Sequence, residues 1–446
     1  MSGGAPKRTQ RERLLDAMIE LSARTGYQAV SIAQVSSRAG VSSATFYEQF
    51  EGKEDCLVAA YQAVAERVLG QMEPVASDTV ASYSDWSLAA RASLGRLLSA
   101  VQRDPDGGRV LYIESMAGGP RMVEERKRVL AEFEQRAQDF LDSTPPDGNT
   151  LDLPATALVG ATRSIVARHL RTNAEDELTS LADDLVGWLE AYAVPAGRAR
   201  WSTGPHALLP ASNGQRSSPP DAEAQAAQRL PRGRHGLPAG VVARSQRTRI
   251  IYGTAEVMLA KGYANATVAD IVAAAGVARD VFYEHFTDKQ HAFLEAQQHP
   301  TQHILDTCAA AYFAAERWPE RVWQGLGMLI ELIVANPAIS HLRLVECYAA
   351  GPEAIRRAEE ITRSFTIFLE EGFRYRPQAE GLPRLCSQAI AGAIFEVIRR
   401  HIARGEAAEL VRRLPQLTYI SIAPFTGPQE AADLLEELSA RTQRAA

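Results

Sequence analysis

Two tyrosines and two lysines stand at matching places in the chain, and their types and spacing suit contacts with an anion such as phosphate. Tyr47 lies in the run GVSSATFYEQF, and Tyr283 lies in the related run GVARDVFYEHF. Each tyrosine can offer a hydroxyl group, and a lysine follows six residues later, Lys53 in the first case and Lys289 in the second. Each lysine opens the next predicted helix, where its charge and the free backbone N–H groups both favour an anion.

Both runs belong to a pattern that is typical of two short helices joined by a tight turn. In the first run Ser31 opens a capping box, Gly40 ends the helix, and Phe46 and Phe50 stand four apart, so that both enter one core. The second run repeats this arrangement with Thr267 and Asp270, Gly276, and Phe282 and Phe286. The pattern predicts a helix-turn-helix, whose second helix fits the DNA major groove and presents its first turn to base edges.

The match between the two runs extends over about half of the chain each time. At an offset of 236 residues the two helix-turn-helix regions align without gaps, and after a four-residue deletion the offset becomes 232. Pairs at the second offset include Glu114 with Glu346, Phe133 with Phe365, Gly160 with Gly392, and His169 with His401. The chain is therefore a tandem duplication, which an internal repeat of this length indicates.

The duplication predicts five segments and an all-α fold, because glycines and prolines separate amphipathic stretches of helical period. A Pro-, Gly- and Ser-rich stretch between the copies is typical of a flexible linker. We define head 1 as residues 8–57, body 1 as 58–194, the linker as 195–240, head 2 as 244–294 and body 2 as 295–440. Each head is expected to be a DNA-binding domain and each body a helical bundle.

Composition excludes several classes of protein. The 446 residues have 46% hydrophobic and 23% charged content, which is ordinary for a soluble globular protein, and a net charge of −6 that does not itself indicate nucleic-acid binding. The four cysteines are scattered, which argues against disulfides and zinc and suits the cytoplasm. No signal peptide, membrane span, phosphate loop, nucleophile elbow or HExxH motif is present, so we expect no membrane partner, no cofactor, no metal and no enzymatic activity.

The pattern T….I…AGVS…FYE.F..K..L resembles the DNA-binding region of the TetR family of bacterial transcriptional regulators, over about fifty residues at the start of each copy. This resemblance implies a double-stranded DNA operator as partner and a repressor function. It also implies that each body binds a small-molecule effector and pairs with another body. The effector's identity does not follow from the sequence.

The resemblance also assigns roles to individual residues of the two heads. Phosphate contacts would fall to Ser31, Tyr47, Gln49, Lys53, Thr267, Tyr283, His285 and Lys289. Base contacts would fall to the first turn of each recognition helix, at Ser42, Ser43, Ala44, Thr45, Ala278, Arg279, Asp280 and Val281. Serine and threonine hydroxyls read groove edges permissively, whereas Arg279 can make a bidentate bond to guanine. The two heads are therefore expected to read different half-sites.

In the bodies, large apolar and aromatic residues at helical spacing are candidates to line an effector pocket. Such residues form plain core more often than pocket, but together they would favour an apolar effector. The candidates are Trp86, Leu98, Tyr112, Met116, Phe133, Trp318, Trp323, Ile333, Tyr348 and Phe365.

Several alternatives remain open from the sequence. The two copies could pair within one chain as a pseudo-dimer, or two chains could pair and carry four heads. Head 2 could have lost DNA binding, because Asp280 would lie near phosphates and Ala278 lacks the hydroxyl of Ser42. A scaffold that kept the fold without DNA binding is a further alternative, as is a helical-bundle enzyme that uses the cavity.

Overall fold

A computed structural model of the chain describes residues 8–72, 82–143, 149–195, 198, 200–209, 238–299 and 301–445. The chain divides into two compact units. Unit 1 consists of Met1–Arg198 and Pro383–Ala393, and unit 2 consists of Ala199–Leu382 and Ile394–Ala446. Both units are built almost entirely of helices, which confirms the predicted all-α class.

Nine helices form the first copy. The four that begin it are α1 (Gln10–Thr25), α2 (Ile32–Ala39), α3 (Ser43–Gln49) and α4 (Lys53–Leu69). The five that follow are α5 (Tyr83–Arg103), α6 (Pro105–Tyr112), α7 (Pro120–Asp142), α8 (Ala155–Arg171) and α9 (Leu181–Glu190). Between α8 and its neighbours, β1 (Asn149–Leu151) pairs antiparallel with β2 (Ala193–Pro195), a short ribbon that the sequence does not signal.

The second copy repeats this order with one helix more at its end. Its head contains α10 (Ala239–Asn265), α11 (Val268–Ala275), α12 (Arg279–His285) and α13 (Lys289–Gln298). Its body contains α14 (Thr301–Phe313), α15 (Trp318–Ala335), α16 (Pro337–Leu344), α17 (Pro352–Ser364), α18 (Ile367–Glu370), α19 (Leu385–Ala403), α20 (Leu414–Thr426) and α21 (Pro428–Ala445). Helix α10 is kinked at Gly262, where φ is 72°.

Both capping boxes form as the sequence predicts. The hydroxyl of Ser31 accepts from the backbone N–H of Gln34 at 3.3 Å, and the Gln34 side chain accepts from the Ser31 N–H at 2.8 Å. Thr267 and Asp270 make the same reciprocal pair at the start of α11. These bonds satisfy N–H groups that the first turn of a helix would otherwise leave open.

The turns between the paired helices use glycine in the left-handed region. Gly40 has φ 65° and ψ 42°, and Gly276 has φ 61° and ψ 40°. A residue with a Cβ is strained by about 1 to 2 kcal/mol there. The glycines therefore set the direction in which α3 and α12 leave the turn.

Part of the predicted linker is folded, so its first boundary is corrected. Trp201 is buried and its ring stacks on Tyr419 with the centroids 4.9 Å apart. The backbone N–H of Leu209 donates to the carbonyl of Arg412 at 2.8 Å. These contacts place residues 200–209 in unit 2, whereas residues 210–237 of the predicted linker lie outside the described residues.

Within the described ranges, no single helix has the length and apolar character that a membrane crossing requires. One bent pair, Trp318–Ala335 with Pro337–Tyr348, meets those criteria jointly, with an angle of 105° between its parts.

Candidate nucleic-acid interface and effector cavity

The recognition helix of head 1 is held by two phenylalanines on its inner side. Phe46 and Phe50 are buried, and their ring centroids lie 5.6 Å apart. The guanidinium of Arg13 on α1 donates to the carbonyl of Ala39 at 3.0 Å, which ties the turn before α3 to the first helix. The inner side of α3 is therefore fixed, and its outer side remains exposed.

Head 2 repeats this anchoring at equivalent positions. Phe282 and Phe286 are buried with their centroids 5.7 Å apart, and Arg249 donates to the carbonyl of Gly276 at 3.4 Å. Neither Arg13 nor Arg249 was singled out for this role from the sequence. The signal was their equal offset, because each precedes its turn glycine by 27 residues.

The first turn of α3 presents small polar groups to solvent. Ser42, Ser43 and Ala44 are exposed, and Thr45 is half-buried. The Ser42 hydroxyl accepts from the N–H of Thr45 at 3.0 Å and lies 3.1 Å from the Thr45 hydroxyl. Ser42 therefore caps α3 as well as facing outward, and part of its hydrogen-bonding capacity is used inside the head.

The first turn of α12 has a different chemistry on the same backbone. Ala278, Arg279 and Asp280 are exposed, and Val281 is half-buried. No side chain caps α12, because alanine stands at the capping position. The guanidinium of Arg279 lies 5.8 Å from the ring centroid of Tyr283, a cation–π arrangement. The predicted base-reading residues thus lie together in each head, with unlike groups exposed.

The difference at the capping position predicts opposite effects for two exchanged residues. Ser42→Ala removes a cap and should destabilise the local opening of head 1 by about 1 kcal/mol. Ala278→Ser adds the cap and should stabilise head 2 by a similar amount. Hydrogen exchange of the α3 and α12 amides measures both. Equal or absent changes would contradict the capping role.

Two of the predicted phosphate contacts, Tyr47 and Tyr283, are exposed beside the anchors. Their side chains are 59% and 48% exposed, and each ring packs edge-on against the adjacent phenylalanine, with centroids 5.6 and 5.3 Å apart. Gln49 is exposed at the end of α3. Its counterpart His285 is half-buried, and its Nε2 atom is buried without a hydrogen-bond partner among the described residues.

The two lysines correct the sequence-based expectation. The ammonium of Lys53 donates to the carbonyls of Tyr27 at 3.2 Å and Val30 at 3.0 Å, and it lies 4.3 Å from the Tyr27 ring centroid. Lys289 makes the equivalent bonds to Tyr263 and Ala266 at 2.7 and 2.9 Å. Burial lowers the pKa of both ammonium groups. Both lysines fasten the turn after the first helix, so their donors are engaged inside the protein.

A glutamate from each body reaches the same turn. Oε2 of Glu114 accepts from the backbone N–H of Tyr27 at 2.7 Å, and Oε2 of Glu346 accepts from that of Tyr263 at 2.6 Å. Burial raises the pKa of Glu114, while the bond from Tyr27 lowers it. The sequence showed these glutamates only as an aligned pair. They form a joint between body and head in each copy.

Body 1 contains a cavity of about 110 Å³. Its apolar wall consists of Leu94, Leu97, Leu111, Leu130, Phe133, Phe140 and Leu158, among others, and its polar groups come from Tyr61, Ser93, Tyr112, Arg136, Asp139, Thr162 and Arg163. Burial raises the pKa of the Tyr61 phenol to about 12. An apolar wall with few polar groups suits a mostly apolar ligand.

The cavity includes some of the predicted pocket residues and leaves others out. Tyr112 and Phe133 line it, whereas Trp86, Leu98 and Met116 do not. Trp86 is fully buried and packs on Phe140 with centroids 5.2 Å apart, so it belongs to the core. The polar lining residues were missed because a lone arginine or threonine in an apolar helix gives no specific signal.

In body 2 the predicted pocket residues pack as core. Trp318, Trp323 and Ile333 are buried, and the Trp318 indole N–H donates to the carbonyl of Phe368 at 3.1 Å. Tyr348 and Phe365 are half-buried. A groove of about 790 Å³ lies elsewhere on this body, and none of these five residues lines it.

Among the described residues, no group of three or more histidine, cysteine, aspartate or glutamate side chains is arranged to hold a metal ion.

Both heads match one known family. The model of the bacterial regulatory proteins of the tetR family matches residues 14–60 and again residues 250–296. Relatives include the HTH-type transcriptional repressor KstR of Mycolicibacterium smegmatis, 31% identical over 103 residues, and KstR of Mycobacterium tuberculosis, 29% identical over 103 residues. Each match covers 23% of this chain, and 48% and 45% of the respective relative. The chain thus spans about half the length of these curated relatives.

Solved structures that resemble parts of the chain are distant. The regulator FadR of Bacillus subtilis in complex with stearoyl-CoA is 17% identical, with a TM-score of 0.33, and the match covers 40% of this chain and 96% of FadR. FadR of Bacillus halodurans is 22% identical, with a TM-score of 0.35, covering 40% of this chain and 94% of FadR.

Two family matches fall on the two heads, and each match contains one capping box, one left-handed glycine and one exposed recognition helix. The chain therefore belongs to the tetR family of bacterial regulatory proteins, as a tandem duplication that carries the DNA-binding domain twice.

Proposed function

We propose that the chain is a transcriptional repressor whose two heads read two different DNA half-sites and whose DNA binding responds to a small, mostly apolar effector. One observation carries the proposal above the others. Helices α3 and α12 share their buried anchors but expose SSAT and ARDV, respectively, around the first turn. Groups at those positions contact bases in a helix-turn-helix, so unlike groups select unlike bases.

The repressor assignment draws on the curated relatives, because both are named transcriptional repressors. The effector assignment draws on the body 1 cavity and on the Glu114 joint, which connects body 1 to the turn of head 1. An effector that moves α6 would move Glu114 and with it the end of α1. A small change in head position suffices for release, because two half-sites about one DNA turn apart must be met together.

We also propose that the two copies pair within one chain as a pseudo-dimer. Unit 1 contains residues 383–393 of the second copy together with the first copy. Inside this unit the guanidinium of Arg168 donates to the side chain of Gln388. A Cβ added at Gly392 would lie 2.6 Å from the Cβ of Ser164, so the small residue permits close packing there.

Covalent linkage favours the same arrangement, since tethering gives each copy a local concentration on the order of millimolar for the other. A chain that pairs internally should have the mass of one chain in light scattering. A mass of two chains would support the alternative, a dimer of chains with four heads.

The affinity for duplex DNA as a function of salt tests the DNA-binding function itself. Phosphate contacts release counterions, so the logarithm of the binding constant should fall linearly with the logarithm of the salt concentration. A fluorescently labelled library of genomic fragments is the probe. A scaffold without DNA binding would show no duplex affinity at low salt, and that result would overturn the proposal.

A further inference from the structure

The two bodies differ at the positions that form the cavity of body 1. Alignment at the offset of 232 residues pairs each lining residue with a counterpart in body 2. Three polar lining residues have apolar counterparts, as Arg136 aligns with Phe368, Thr162 with Ile394, and Arg163 with Phe395.

The apolar counterparts in body 2 contact one another. The ring of Phe365, which is the counterpart of the cavity residue Phe133, lies 5.5 Å from that of Phe395 and 6.0 Å from that of Phe368. A third ring, Tyr312, lies 5.0 Å from Phe368. Rings at these centroid distances are in contact. The space that is open beside Phe133 in body 1 is therefore occupied by side chains beside Phe365.

Two further counterparts place polar groups in the interior of body 2. Leu111 of the cavity wall aligns with Arg343, and Tyr61 aligns with Gln297. Arg343 is buried and donates to the hydroxyl of Thr301 at 2.7 Å, and burial lowers its pKa to about 10. The side-chain amide of Gln297 donates to the carbonyl of Ala354 at 2.8 Å. A buried guanidinium in place of leucine makes this region unsuited to an apolar ligand.

We propose that effector sensing is confined to body 1, that its cavity accepts one ring-sized apolar group with a polar substituent, and that body 2 is a filled partner without an equivalent site. The size follows from the volume of about 110 Å³, since an engineered cavity of about 150 Å³ in another protein holds benzene. The polar substituent follows from Tyr61, Tyr112 and Thr162 among the lining residues. This inference rests on the proposed effector response.

The test uses crystals of the full chain soaked in 4-iodophenol, whose iodine is located by its anomalous signal. The wild-type chain should show one iodine peak, in the cavity of body 1. The double variant Thr162→Ile with Arg163→Phe gives body 1 the residues of body 2 and should lose that peak, with at least about tenfold weaker binding in solution.

The matched variant Phe395→Ala removes a ring from body 2. It should add a second peak beside Phe365, because truncating a buried aromatic side chain leaves a void that a small aromatic molecule can fill. Melting temperatures of all three proteins show whether the variants are folded. This variant keeps the inference open to test even if the double variant does not fold.

Three results would overturn the inference: wild-type peaks in both bodies, no peak in body 1, or a sole peak in the groove of body 2 near Phe313 and Ile367. None of them bears on DNA binding, which is measured separately. Failure of the DNA-binding proposal is therefore distinguishable from failure of this one.

Discussion

Phe46→Ala is expected to lower the free energy of local unfolding of head 1 by about 3 to 5 kcal/mol and to abolish DNA contact by that head. Phe46 is fully buried and packs on Phe50, so truncation removes contacts on the inner side of α3 and leaves a void. Helix α3 has only seven residues and depends on this packing for its position. Hydrogen exchange of the head 1 amides measures the loss directly.

The matched variant Phe282→Ala should do the same to head 2, because Phe282 is equally buried at the equivalent position. Tyr47→Phe serves as the control on the outer side of α3, since it removes an exposed hydroxyl without touching the core. It should leave hydrogen exchange unchanged. Unchanged exchange of α3 in Phe46→Ala would contradict the anchoring role.

Arg279→Ala is expected to relax base preference at one position of one half-site, at a cost of about 1 to 3 kcal/mol in discrimination. Arg279 is exposed in the first turn of α12, and head 1 has Ser43 at the equivalent place. Only arginine can make the bidentate contact with guanine. The change should therefore appear in the half-site of head 2 alone.

Selection of bound duplexes from a random pool, carried out with the wild-type chain and with Arg279→Ala, measures this effect. The matched control is Ser43→Ala, which should alter the other half-site and by less. An equal change in both half-sites would show that the two heads do not read separate sequences.

The local features of the heads could be predicted from the sequence because their causes lie within a few residues. Ser31 and Gln34 are three apart, Gly40 follows its helix directly, and Phe46 and Phe50 are one helical turn apart. Such spacings fix caps, turns and shared faces without knowledge of the rest of the fold.

The role of Lys53 could not be predicted in this way, because its partners are carbonyls of Tyr27 and Val30, more than twenty residues earlier. The cavity depends likewise on how α5, α7 and α8 pack, so periodicity could place Phe133 on an apolar face but could not separate cavity from core. In the linker, Trp201 and Leu209 are isolated apolar residues without a period, and only their partners in unit 2 show that they are buried.

The central claim is that both heads of one chain contact one operator. Hydroxyl-radical footprinting at saturating protein tests it most directly, because it maps the protected DNA backbone. The wild-type chain should protect two segments about one helical turn apart, and Phe282→Ala should protect only the segment of head 1. If Phe282→Ala still protected both segments, head 2 would not be a reading head, and the account would be contradicted.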